Sequence, residues 1–154
     1  EPHDDGAVET IKTVLRENSR DSFRLYRTAA GYRLLATDTL HEPGSAESEQ
    51  LMQALGADPQ FMQLCRVQKS FRARLTPKPW RCGHHALRVA FPRVTPRAET
   101  EYQSWLAGYQ KRMAEKATCR FVETVGSDAL QDEVHAILRL HDETARAADD
   151  RPLA

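Results

Sequence analysis

Residues 22–37, SFRLYRTAAGYRLLAT, constrain the fold of this chain more than any other stretch. Phe23 and Leu25 alternate with Arg24 and Tyr26, and Tyr32, Leu34 and Ala36 alternate with Arg33 and Leu35. A period of two is the repeat of a strand, whose side chains point to opposite faces in turn. The two alternating runs meet at Ala29-Ala30-Gly31, where the glycine can take the positive φ of a short hairpin loop. The expected hairpin packs one face on helices and carries Arg24 and Tyr26 on the other.

Helical spacing surrounds this hairpin. Val8, Ile11, Val14 and Leu15 recur at threes and fours, which predicts a helix over residues 7–18 with Asp4 or Asp5 as its cap. Ser45 is an expected N-cap for a helix through Leu51, Met52 and Leu55. Gly56 can close that helix, and Asp58 with Pro59 can open the next, burying Phe61, Leu64 and Cys65. Thr95-Pro96 opens the longest helix, expected to reach Thr118 along the stripe Ala98, Tyr102, Trp105, Leu106, Tyr109, Met113 and Ala117. A final helix follows Gly126-Ser127-Asp128, with Asp128 and Gln131 as a capping box. Its expected buried stripe is Leu130, Val134, Ile137 and Leu138, with His141 at the margin.

Three further strands are read from alternation. Residues 70–75 set Phe71, Ala73 and Leu75 against Arg72 and Arg74; residues 87–91 alternate around Arg88; residues 120–125 place Phe121 and Val125 on one face. Pro77, Pro79 and Pro92 would stop the first two, since proline donates nothing to a ladder. The chain of 154 residues is therefore expected to be one α+β domain, spanning 1–154 with polar, frayed ends at 1–6 and 146–154. The expected sheet is single, largely antiparallel and about four to five strands wide, with helices mainly on one face.

Charge is sorted along this order. The chain has 22 basic and 22 acidic side chains, but no Asp or Glu lies between Asp58 and Glu99. That gap encloses residues 66–97, RVQKSFRARLTPKPWRCGHHALRVAFPRVTPR, with nine Lys or Arg. Neutrality overall argues against indiscriminate polyanion binding, so any such binding must be local. Arg24, Tyr26, Arg72 and Arg74 on one sheet face, extended by Lys78, Trp80 and Arg81 in a proline-braced loop, would form a cationic surface with aromatic rings. Arginine forks hold phosphates and aromatic rings stack bases, so the first expectation is a binding or accessory domain for an anionic partner, nucleic acid foremost and a phosphorylated ligand next. The competing expectation is structural: the flanking acidic helices would pair with these guanidiniums inside the fold.

Two other chemistries are open to the sequence. Cys82, His84 and His85 offer metal-ligand atoms, but the spacing matches no zinc finger or ribbon and C-x-x-C is absent, so no metal or cofactor is expected. His84 or His85 could act as acid and base in a phosphate-handling enzyme, with Lys78 or Arg81 stabilising developing charge; the carboxylate would have to come from Asp38, Glu42 or Glu123. Phosphate loops, dinucleotide glycine fingerprints, serine elbows and H-E-x-x-H are all absent from the sequence, which weighs against an enzyme. A third class is a protein-interaction or structural domain, the soluble part of a tethered protein. Cys65, Cys82 and Cys119 are an odd, sparse set, pointing to reduced thiols and a cytoplasmic location. The first residue is Glu1, which leaves open an upstream anchor or signal.

Overall fold

A computed structural model describes residues 5–154. Its elements run α1 (Asp5–Asn18), β1 (Phe23–Thr28), β2 (Gly31–Ala36), α2 (Ala46–Ala54), α3 (Pro59–Gln68), a 3-10 turn (Pro79–Cys82), α4 (Pro96–Met113), β3 (Cys119–Val125) and α5 (Asp132–Ala145). The class is α+β, with one antiparallel sheet in the order β2-β1-β3. The hairpin forms over the two-residue loop Ala29-Ala30, and Gly31 has φ +151°. Sequence punctuation is obeyed closely at the helix starts. The side chain of Ser45 accepts from the Ser48 amide, that of Asp58 from Gln60 and that of Thr95 from Ala98. Asp4, the alternative cap of α1, lies outside the described residues.

The sheet is narrower than expected: among the described residues it has three strands, and neither 70–75 nor 87–91 is one of them. At the end of the first stretch and just beyond it, side chains take the backbone carbonyls. Arg33 Nη2 donates to Arg74 O at 2.8 Å, Thr118 Oγ1 to Leu75 O at 2.9 Å and Tyr109 Oη to Pro77 O at 2.6 Å. Backbone polar groups must find partners, and these three side chains satisfy the need without a fourth strand.

Leu25 and Tyr26 are successive residues, so they point to opposite faces, and both are fully buried. Phe23 packs with Leu15 of α1, Leu51 of α2 and Val125 of β3. The Tyr26 ring meets the His141 ring of α5 edge-on at 4.7 Å.

The chain clusters into two compact units, each built from three segments. The first runs up to Leu25 and takes in Leu34–Ala73 and Val122–Ile137; the second is Tyr26–Arg33, Arg74–Phe121 and Leu138–Ala154. In the first unit Ser22 joins three segments. Its amide donates to Asp38 Oδ1 at 2.8 Å, its carbonyl accepts from the Thr37 amide at 2.9 Å, and its Oγ accepts from the Ser127 amide at 2.8 Å.

In the second unit α4 stops at Met113, short of the expected Thr118. Arg146 Nη1 there donates to the carbonyls of Met113, Ala114 and Lys116 at 2.7–3.1 Å. A cation suits a helix C-terminus, where the dipole is negative and carbonyls lack partners. Residues 146–154, expected to fray, are bonded instead. The amides of Ala117 and Phe121 donate to Pro152 O and Ala147 O, the Ala154 amide donates to Ala117 O, and Ala145, Ala147 and Ala154 are buried. Alanines are small enough to bury a tail whose letters otherwise read as polar.

Two helix faces also differ from expectation. In α3, Cys65 is buried but Leu64 is exposed. In α5 the capping box is replaced by Gln131, whose Oε1 accepts from the Glu133 amide at 2.6 Å. Helix α5 then buries Val134, His141 and Ala145, while Ile137 and Leu130 face solvent.

Candidate functional site

The basic block is divided by the fold. Three of its nine cations are engaged by carboxylates: Arg66 with Glu49 of α2, Arg93 with Glu99 and Arg97 with Glu101 of α4. These pairs hold the carboxyls of Glu49 and Glu99 below their ordinary range, through the Arg66 hydrogen bond for the first and the Gln103 and Arg93 hydrogen bonds for the second. The expectation that flanking acids meet the block is thus met at its two ends. Between them Arg72, Arg74, Arg81 and Arg88 are exposed, and none has a carboxylate within 4.0 Å among the described residues.

The sheet face that was to unite Arg24, Tyr26, Arg72 and Arg74 does not form. Arg72 and Arg74 lie in irregular chain, Arg72 in the first unit and Arg74 in the second. Tyr26 cannot stack a ligand, because it is fully buried and its hydroxyl donates to Asp142 Oδ1 at 2.7 Å. Arg24 stays on β1 and is partly buried.

Residues 74–93 of the second unit form an arm without a helix or strand, interrupted by the 3-10 turn Pro79–Cys82. Pro79 opens that turn, where its fixed φ fits and its missing N–H costs nothing. Gly83 ends it at φ +70°, and the turn packs on α4. Trp80 stands out from it 65 % exposed, with the Lys78 Nζ 5.0 Å from the ring centre. Trp80 therefore does not anchor the loop in the core. That task falls to Trp105, which stacks on Tyr109 at 5.1 Å and donates Nε1–H to His85 O at 2.8 Å.

His84 and Cys82 are occupied by local structure. His84 lies among the rings of His85, Trp105 and Tyr109, and its Nε2 is 3.1 Å from Trp105 O, which can only accept. Gly108 makes room for it, since a Cβ there would lie 3.0 Å from His84 Cε1. The Cys82 thiol is buried and directed at Pro79 O, 3.2 Å away. His85 is exposed. Of the three carboxylates named for acid-base work, two are engaged elsewhere: Asp38 by the Ser22 amide and Glu123 by Lys12. Among the described residues no three His, Cys, Asp or Glu converge as a metal site, and no helix is long and apolar enough to cross a membrane.

Sequence reasoning missed a buried polar cluster in the second unit. Tyr26 of β1, Arg33 of β2, Cys119 of β3 and His141-Asp142 of α5 come together there. Arg33 Nη1 is 2.9 Å from His141 Nε2, and a guanidinium only donates, so Nε2 accepts. The imidazole proton then sits on Nδ1 and is donated to Asp142 Oδ1 at 2.8 Å. Cys119 Sγ lies 3.9 Å from His141 Nε2 and 3.8 Å from Arg33 Nη1. Thiol, imidazole and carboxylate thus stand in the order of a nucleophilic triad. The chemistry does not follow. Arg33 holds the lone pair a base would need, the thiol is fully buried, and burial pushes the thiol up against the opposing pull of Arg33. Burial likewise lowers the Arg33 guanidinium from its ordinary value, with Cys119 and Tyr26 acting the other way. The only signal in the letters was the adjacent His-Asp pair.

All three cysteines are free and buried. Buried thiols are inert because the thiolate is the reactive form. In the native protein an aromatic disulfide reagent at mildly alkaline pH should therefore titrate none of them within minutes, and all three once guanidinium is added. Rapid reaction of one thiol in the folded state would contradict this burial. No family model, curated protein or solved structure matches this chain.

Proposed function

We propose that this chain is a binding or accessory domain whose arm, residues 74–93, docks single-stranded nucleic acid. The observation that carries the reading is Trp80, 65 % exposed between Lys78 and Arg81 on a pinned turn. Large apolar rings are seldom left in water without a use, and an indole flanked by cations suits a base and its phosphates. Arg74 and Arg88, exposed in the same acid-free segment, add phosphate contacts. The turn is held before any ligand arrives, by Tyr109 on Pro77 O and by its packing on α4. Little ordering entropy is then lost on docking. Arg93 is committed to Glu99 and to the Tyr102 ring, 3.8 Å below its guanidinium, and plays no part.

The test is fluorescence anisotropy with a short labelled deoxythymidine oligonucleotide and its RNA counterpart. Affinity should fall steeply between about 50 and 200 mM salt as phosphate counterions are exchanged. Arg74→Glu with Arg81→Glu should weaken binding by roughly tenfold or more, since each lost phosphate contact removes a share of the affinity. Trp80→Ala should cost about 1–3 kcal/mol of binding, the usual worth of a stacked base. Stability should move by less than about 0.5 kcal/mol, because the ring is mostly in water. Absence of binding at low salt, or affinities unchanged by these substitutions, would sink the reading. A protein partner is the second reading, favoured by Phe91 and Val94 at 84 % and 81 % exposure. Binding of anionic vesicles in place of oligonucleotides would reassign the arm to a membrane surface.

A further inference from the structure

Arg33 holds two things at once. One guanidinium nitrogen donates to His141 Nε2 at 2.9 Å, and another donates to Arg74 O at 2.8 Å, where the arm begins. The first bond exists only while His141 is neutral, because a protonated imidazole offers no acceptor. We infer that His141 is a proton-sensitive latch: neutral, it fixes Arg33 on the start of the arm; protonated, it expels Arg33 and releases that anchor.

The groups around His141 decide what yields when the proton arrives. Tyr26 of β1 presents its ring edge-on at 4.7 Å and gives its hydroxyl to Asp142, so it brings no charge. Cys119 of β3 is buried and stays a thiol, so it supplies no anion. Asp142 of α5 places a carboxylate 2.8 Å from Nδ1, and it makes an imidazolium tolerable. Arg33 of β2 is the group that loses: its acceptor becomes a donor, and two cations stand 2.9 Å apart. The guanidinium is already disfavoured by burial, so leaving for water relieves desolvation as well as repulsion. Thr118 on Leu75 O and Tyr109 on Pro77 O remain, which confines the release to the first residues of the arm.

This latch is independent of what the arm binds; only its effect on oligonucleotide affinity rests on the function proposed above. Its readout is therefore the protein alone, by NMR between about pH 8 and pH 5, the window in which imidazoles titrate. Long-range proton–nitrogen spectra should show His141 as the Nδ1–H form at the upper end. The amide signals of Leu75 and Thr76 should titrate with the same midpoint as the His141 ring. Their hydrogen exchange, corrected for intrinsic pH dependence, should rise on the order of tenfold, as expected when a local anchor opens. His141→Gln keeps an acceptor for Arg33 and cannot be protonated, so it should abolish the amide titration. Arg33→Gln should abolish it too while His141 continues to titrate, which keeps the test valid if the first variant does not fold. Amides of residues 75–76 that ignore the His141 midpoint, or that titrate equally in both variants, would overturn the latch.

Discussion

Replacing Asp142 with alanine should lower the unfolding free energy by about 3 kcal/mol, in urea or thermal melts, with no gain in any other interaction. Its Oδ1 accepts from the buried hydroxyl of Tyr26 at 2.7 Å and from His141 Nδ1 at 2.8 Å. Alanine would remove the acceptor of both bonds, each loss costing about 1–3 kcal/mol, with partial relief from the side that Asp142 shows to solvent. Asp142→Asn separates charge from geometry. An amide oxygen can accept both bonds, so the loss should shrink to about 1 kcal/mol if bonding dominates. Equal losses for Ala and Asn would mean that the negative charge is what the cluster requires. A loss below about 0.5 kcal/mol for Ala would remove the cluster from the stability of the fold.

The second large effect is expected at the turn after β3. Gly126 has φ +100°, a conformation that side chains rarely adopt, and a Cβ there would lie 2.7 Å from Ser22 Oγ and 3.0 Å from its Cα. The neighbour is backbone as well as side chain, so it cannot simply swing aside. Gly126→Ala should therefore destabilise by about 2–4 kcal/mol, combining backbone strain with displacement of a bonded serine. The control is Gly31→Ala. Its φ of +151° is also unusual, but no atom lies within 4 Å of the added Cβ, so only the strain, about 1–2 kcal/mol, should appear. Equal costs at the two sites would show that the Ser22 contact contributes nothing.

How much of this could be read from the letters depends on whether the physics is local. Ser45, Asp58-Pro59 and Thr95-Pro96 announce helix starts because a cap is satisfied within three residues of itself. The hairpin is legible for the same reason. Residues 70–75 misled because alternation says only that a chain is extended. Whether it becomes a strand depends on which distant group reaches its carbonyls, and here Arg33 and Thr118 do so. Tyr26 misled in a related way: alternation assigned it to the face opposite Phe23, but could not say that α5 covers that face. The basic block was legible as charge, and its two ends pair with acids as a sorted sequence permits. Its exposed indole was not, since a tryptophan after two prolines reads first as an anchor against the core and only second as display. Of the Arg33–His141–Asp142 cluster the letters showed only the adjacent His-Asp pair, because Arg33 lies 108 residues from His141.

The three-segment make-up of each unit has a consequence for how the chain is made. The second unit draws on Tyr26–Arg33 and cannot be complete until Leu138–Ala154 has emerged from the ribosome. No single cut of the polypeptide yields either unit whole, so expression of halves should give unfolded fragments. During synthesis the basic arm emerges before Tyr109, Thr118 and His141, so Arg33 waits for His141, and the end of α4 waits for Arg146. Order in the arm is among the last things this protein acquires.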